Sequence, residues 1–276
     1  MAARVPGPVR FAGIGVWLRP PTADTDVSDL LDRAAAVAGA PGQAGFGSLW
    51  VSESTGTSGI RTAYEAYSLL GALAVRTDGI RLGVVADGDE RRAPSILAKI
   101  VTSVDVISHG RAVLSLDGDC ASGPDAERLF EALTVCRSVL EDVLPTYAGR
   151  IYSVDAAINR PAPVQAGGVP VVVFLHGSGP ARAPLLETAA RLADAVVVDG
   201  GADGVREACR VVESQTAVAT TRGTAVEVLG RIDDPTVGAL TADRVAQLRS
   251  AGATGCLVGI PFPWSPATVA GVLSPW

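Results

Sequence analysis

The chain has a single lysine, Lys99, against 22 arginines, only two histidines, and four cysteines set far apart. Each scarcity closes off a kind of chemistry. Schiff-base catalysis needs a lysine facing a ligand, whereas Lys99 falls inside a helical stripe that begins after Pro94. A sugar- or aldol-type barrel enzyme is therefore the weakest of three readings. Asp117 and Asp119 have no third carboxylate or histidine at convincing spacing, and with only two histidines in the chain no metal site is expected. Cys120, Cys136, Cys209 and Cys256 contain no C-x-x-C pair and read as buried free thiols, not as a disulfide framework or a zinc site. No apolar run approaches the ~20 residues of a membrane span. Residues 192–198 are interrupted by Asp194, and the apolar stretch at 69–75 is short. The opening residues lack the apolar centre of a signal peptide, and the expectation is a cytoplasmic protein. A net charge of −6 with scattered arginines argues against nucleic acid or an anionic membrane as partner.

What the chain does have, over 276 residues, is 48% hydrophobic content arranged in alternation. Short β-branched runs at 11–17, 48–52, 81–86, 112–116, 171–175, 195–198, 226–232 and 255–260 read as strands. Longer amphipathic segments between them read as helices, one of which starts just after Pro94. Residues 145–168 break this rhythm as a compact excursion rich in proline and glycine. Eight βα units of about 35 residues predict one (β/α)8 TIM barrel spanning 1–276, with 1–9 as a flexible N-terminus. The strands are nearly continuous apolar runs, as parallel strands covered on both faces should be. An open doubly wound sheet is the runner-up. It is disfavoured because no G-x-G-x-x-G follows the first strand.

Barrel chemistry sits at the C-terminal strand ends. Reading those ends gives Trp17, Glu53-Ser54, Ala86-Asp87, Ser115 to Asp119, His176 to Gly179, Asp199-Gly200, Asp233-Asp234 and Trp264. His176-Gly-Ser-Gly179 between a strand and a helix is the sharpest local signal. Glycines there admit close approach, and amides at a helix start attract an anion, so the turn reads either as a phosphate cradle or as an ordinary tight turn. His176 and Glu53 are the candidate catalytic groups, and Trp17 and Trp264 the candidate substrate walls. His109 precedes a strand and belongs to the opposite, structural end.

Several segments resemble the luciferase-like monooxygenase superfamily, and within it the branch using the deazaflavin F420. They are Gly45-Phe-Gly-Ser-Leu-Trp-Val-Ser-Glu53, Ser68-Leu-Leu-Gly-Ala-Leu-Ala-Val-Arg-Thr77, Ile80-Arg-Leu-Gly83, Asp105-Val-Ile-Ser-His-Gly-Arg111, Tyr147-Ala-Gly-Arg-Ile-Tyr152, Arg160-Pro-Ala-Pro-Val-Gln165 and Gly177-Ser-Gly-Pro180. The resemblance implies a barrel holding F420, or alternatively FMN, at its C-terminal mouth, with hydride transfer to or from a small organic substrate. It places the phosphate near Gly177, Ser178, Gly179, Asp199 and Gly200, and the ring near Ser54, Val85, Ala86, Ser115 and Asp117. It further implies a non-prolyl cis peptide at Val85–Ala86, and a homodimer is common in such barrels. Ser54, Ser115 and Asp117 depart from the pattern. They motivate the alternative of a non-catalytic barrel that binds a ligand or serves as a partner subunit.

Overall fold

The computed structural model describes residues 11–21, 26–39, 46–53, 64–86, 92–121, 125–165, 168–216, 226–233 and 239–273. Strands and helices alternate in the order β1 (Gly13–Leu18), α1 (Leu30–Ala38), β2 (Phe46–Glu53), α2 (Ala66–Ala74), β3 (Arg81–Ala86), α3 (Pro94–Ile107), β4 (Leu114–Asp119) and α4 (Asp125–Glu141). A small antiparallel hairpin follows, β5 (Tyr147–Ala148) and β6 (Ser153–Val154). Alternation resumes with β7 (Val171–His176), α5 (Arg182–Leu192), β8 (Ala195–Val198), α6 (Gly201–Thr216), β9 (Glu227–Ile232), α7 (Ala239–Ser250), β10 (Gly255–Ile260) and α8 (Pro266–Leu273).

Eight of these strands form one parallel sheet in the order β3-β2-β1-β10-β9-β8-β7-β4. Its two edges meet at a single parallel bridge, Leu82 with Ala112. Leu82 N–H donates to Arg111 O at 2.9 Å, and Val113 N–H donates to Leu82 O at 2.9 Å. The sheet is thus a nearly closed (β/α)8 barrel, as expected from the eight repeats, with its β3–β4 seam laced at the N-terminal end.

Period-two alternation sorts the strand side chains into two layers. One set, including Trp17, Trp50, Val85, Val113, Val172, Phe174, Val197, Leu229 and Leu257, fills the barrel interior. The other set packs under the helices with residues such as Leu97, Val101, Leu133 and Leu185. Trp50 is fully buried and fits only because its neighbours lack side chains. A Cβ on Gly83 would stand 2.5 Å from the indole, and one on Gly15 would stand 2.4 Å from Leu257. Interior packing at this density makes the barrel a solid core, not a pore.

Pro94 opens α3 at a position where its missing N–H costs nothing, as the sequence suggests. The far end of the barrel is closed by polar groups with backbone partners. Asp105, wholly buried, accepts from Val164 N–H at 2.9 Å and from Gln165 Nε2 at 2.6 Å, and so ties the excursion to α3. Away from that end, in the first half of α4, Glu131 accepts the amides of Arg150, Ile151 and Tyr152, at 2.8, 2.9 and 2.8 Å, and holds the hairpin turn. Arg111 donates to Ser108 O, Thr77 Oγ1, Ile80 O and Ala74 O. His109 lies in the left-handed turn before β4, with φ of 56°. It therefore belongs to this closing end, as its position before a strand implies.

Two expectations change here. β4 runs from Leu114 to Asp119 and not from 112 to 116. Asp117, Gly118 and Asp119 consequently lie within the strand and not beyond it. The cis peptide bonds of the described residues are Arg160–Pro161 and Phe262–Pro263, and Val85–Ala86 is not among them. There β3 keeps a regular parallel register with β2, Ser52 opposite Val85 and Glu53 opposite Ala86. A non-prolyl cis bond is a costly state that this ladder does not call for.

Candidate active site at the barrel mouth

The C-terminal ends of β7, β8 and β9 bring three charged or titratable side chains together. The sheet register places Asp119 opposite His176, and Val198 opposite Leu175, so Asp199 follows beside His176. Arg231 reaches the same place by alternating with the interior residue Leu229 on β9. Arg231 Nη1 lies 3.1 Å from His176 Nδ1, and Arg231 Nε lies 3.8 Å from Asp199 Oδ1. His176 Nδ1 is 3.8 Å from Asp199 Oδ2. Arg231 Nε also donates to Asp233 Oδ1 at 2.6 Å, and its guanidinium lies 4.4 Å over the Trp17 ring. The His176 ring is stacked near Phe174, with an interplanar angle of 11°.

These contacts set the state of Asp199. Burial works to raise its pKa, but the adjacent His176, the Arg231 charge and the Gly177 N–H outweigh burial and hold the carboxyl below its ordinary value. It is an ionised carboxylate at neutral pH, and Arg231, which faces it, is shared with Asp233.

The glycine turn is built differently from a bare cradle. Gly177, at φ of +70°, adopts a left-handed conformation, and its N–H donates to Asp199 Oδ2 at 3.3 Å. Arg182, nearly buried, donates to Gly177 O at 2.9 Å and to Glu207 Oε2 at 2.7 Å, which fixes the turn to α6. Gly179 is required by packing, since a Cβ there would stand 2.4 Å from the Cys120 carbonyl oxygen. Ser178 and Gly179 are exposed, and their amides donate to no acceptor among the described residues. Gly200, at φ of +91°, leads into α6 on the adjacent unit.

The remaining sequence candidates divide. Trp17 is at the mouth but is 4% exposed, with its indole N–H donating to Ser52 Oγ and one face under Arg231, so it forms floor and not wall. Val85 is fully buried in the interior layer beside it. Ser115 is fully buried, and its hydroxyl donates to Val84 O. It bridges the seam where the β3–β4 ladder has ended, a structural task in place of the cofactor contact expected of it. Asp117, in register with Phe174, is buried within β4, and its charge reaches Arg128. Trp264 is fully buried in the layer under the helices, donates to Arg19 O at 3.0 Å, and packs edge-on against Phe262. It offers no face to a ligand in the mouth, because the turn after β10 folds it outward. Glu53 ends β2 and Ala86 ends β3, both at the mouth by backbone position. Ser54, Asp87 and Asp234 lie outside the described residues.

Arg231 is the residue that the sequence reading missed. Its signal was the alternation Leu229, Arg231, Asp233 on one strand face. The four cysteines are free thiols, three of them buried, and burial pushes Cys256 up to about 12. Among the described residues no cluster of histidine, cysteine and carboxylate could hold a metal ion, and no helix is long and apolar enough to cross a membrane.

The model of the luciferase-like monooxygenase family matches residues 12–239. A 5,10-methylenetetrahydromethanopterin reductase of Methanolobus tindarius is 26% identical over 169 residues, covering 57% of this chain and 47% of its own length. An F420-dependent glucose-6-phosphate dehydrogenase of Microbacterium testaceum is 30% identical over 154 residues, covering 51% of this chain and 44% of its own. The chain thus aligns with less than half the length of these curated relatives. Among solved structures, the coenzyme F420 dependent tetrahydromethanopterin reductase of Methanopyrus kandleri superposes with a TM-score of 0.73 at 18% identity. That match covers 96% of this chain and 99% of the other, and shows the shared fold.

Proposed function

Since the chain belongs to the luciferase-like monooxygenase family, we propose that it is an oxidoreductase that binds F420, with FMN as the alternative, and exchanges hydride with a small organic substrate at the barrel mouth. The observation that carries this reading is the convergence of His176, Asp199 and Arg231 beside two exposed turn amides, over an apolar floor of Trp17, Val85 and Phe174. The F420-dependent relatives support the choice of deazaflavin.

The residues present fit such a group. Ser178 and Gly179 are exposed and their amides donate to no acceptor among the described residues, which suits an anionic tail. Asp199 directs one oxygen to the Gly177 amide and faces Arg231, which it shares with Asp233, so its repulsion of that anion is reduced. Val85 and Trp17 are packed beneath this cluster and close the apolar floor under it. When bound, the deazaflavin supplies the hydride chemistry. His176 contributes a proton donor or acceptor beside the ligand, and Arg231 contributes positive charge toward an anionic or polarised substrate. The Phe174, Trp50 and Trp17 layer beneath excludes water from the floor. The same reading takes the protein to be cytoplasmic and homodimeric.

Equilibrium titration with F420 and with FMN, followed by fluorescence, tests this reading. Saturable binding of one of them at or below tens of micromolar is the expected result. Absence of binding by both overturns it.

A further inference from the structure

We propose that Arg231 is a positioning residue that fixes His176 as a neutral imidazole with its proton on Nε2, and that protonation of His176 transfers Nδ1 from Arg231 to Asp199. The first half follows from donor counting. A guanidinium has only N–H donors and cannot accept, so the 3.1 Å contact from Arg231 Nη1 requires Nδ1 to be the acceptor. An imidazole that accepts at Nδ1 holds its proton at Nε2. The Phe174 ring lies nearly parallel to the imidazole, with the centroids 6.4 Å apart. Arg231 is itself immobilised, with Asp233 on Nε and the Trp17 face beneath it.

The second half follows from what stands next nearest. Once Nδ1 has taken a proton it faces the Arg231 donors unfavourably, and the acceptor within reach is Asp199 Oδ2 at 3.8 Å. That oxygen also accepts the Gly177 N–H at 3.3 Å, so protonation of His176 draws on the group that holds the glycine turn. The proton comes from solvent, and no bond other than N–H forms. The charged and titratable groups around His176 come from each neighbouring element: Asp117 and Asp119 on β4, Arg182 on α5, Asp199 after β8, Arg231 on β9 and Asp233 just after it. Asp119 Oδ1 accepts Ala121 N–H at 2.9 Å, and Arg182 is bonded to Gly177 O and Glu207. Arg231 and Asp199 are thus the pair that oppose each other at Nδ1. A proton that His176 shares across the mouth then leaves from Nε2.

The inference does not depend on which cofactor binds, and its test uses the purified chain alone. With two histidines in the sequence, a long-range 1H–15N correlation spectrum of 15N-histidine-labelled protein contains two imidazoles, and His109→Asn assigns them. Asparagine suits the left-handed backbone at 109. The expected wild-type state at pH 8 is Nε2–H for His176. In Arg231→Met, signal is expected to move toward the Nδ1–H form, and the His176 titration midpoint to rise by about one pH unit as the opposing charge is removed. Arg231→Lys should restore the lower midpoint in part, and Asp199→Asn should lower it by removing the acceptor of the protonated form. Unchanged His109 signals in each variant establish that the fold is kept. If the tautomer and midpoint are the same in Arg231→Met as in wild type, the proposal fails. Should that variant not fold, an unmoved midpoint in Asp199→Asn is the overturning result.

Discussion

The two ends of the barrel both carry arginine, carboxylate and one histidine, yet they use them in opposite ways. At the closing end, Arg111 and Asp105 bond chiefly to backbone amides and carbonyls, and each joins segments distant in sequence. At the mouth, His176, Asp199, Arg231 and Asp233 contact mainly one another. Backbone partners fix a fold. Side-chain partners that can exchange places hold charge ready for a ligand. The difference teaches that charge alone does not mark an active end; what the charges are bonded to does.

This contrast predicts effects that separate by end. The largest belongs to the mouth. His176→Ala should lower turnover of a carbonyl, imine or alkene substrate with reduced cofactor by about 10²–10⁴-fold. It should leave stability within about 1 kcal/mol. Reduced turnover with unchanged cofactor affinity identifies a catalytic histidine, whereas loss of affinity alone sinks that role.

At the closing end the signs reverse. Arg111→Met removes the donor to three carbonyls and the Thr77 hydroxyl, so urea denaturation should show a loss of about 3 kcal/mol, with cofactor affinity of the folded protein unaltered. A loss below about 1 kcal/mol would erase the distinction between the ends. Gly179 lies on the boundary between them. Because its Cβ would meet the Cys120 backbone, Gly179→Ala and Gly179→Asp should each cost about 2 kcal/mol, and only the aspartate should add a penalty in cofactor binding. Equal affinities in the two variants would move the anion site elsewhere.

The smallest effect is pH-dependent. A carboxyl whose pKa is lowered on folding contributes stability above its unfolded pKa near 3.8 and loses it as pH falls through the lower folded value. Thermal melts between pH 6 and pH 3 should therefore show a shallower acid decline in Asp199→Asn than in wild type.

Much of the barrel was legible because β-branched runs buried on both faces repeat at even spacing. The slip at β4 has a physical origin. Ala112 and Val113 are apolar but only approach the seam with β3, whereas the strand continues through Asp117, Gly118 and Asp119, where an apolar pattern stops. Ser115, a candidate through the family resemblance, uses its hydroxyl to close a gap in the ladder. Of the site, His176, Gly177, Asp199 and Trp17 were readable from strand ends, since alternation in chain order puts those ends on one face. Arg231 escaped because attention to acidic residues at 233 and 234 hid the strand-face alternation that carries it inward. Trp264 escaped in the other direction, since sequence does not show that its turn folds the indole outward.

The central claim, that the mouth and not the closing end receives the cofactor, is tested most directly by 1H–15N correlation spectra recorded during titration with F420. The account predicts saturable shifts at Gly177, Ser178, Gly179 and the His176 ring, with Gly110 and Arg111 unmoved. Shifts confined to the closing end, or saturation without change at 177–179, would contradict it.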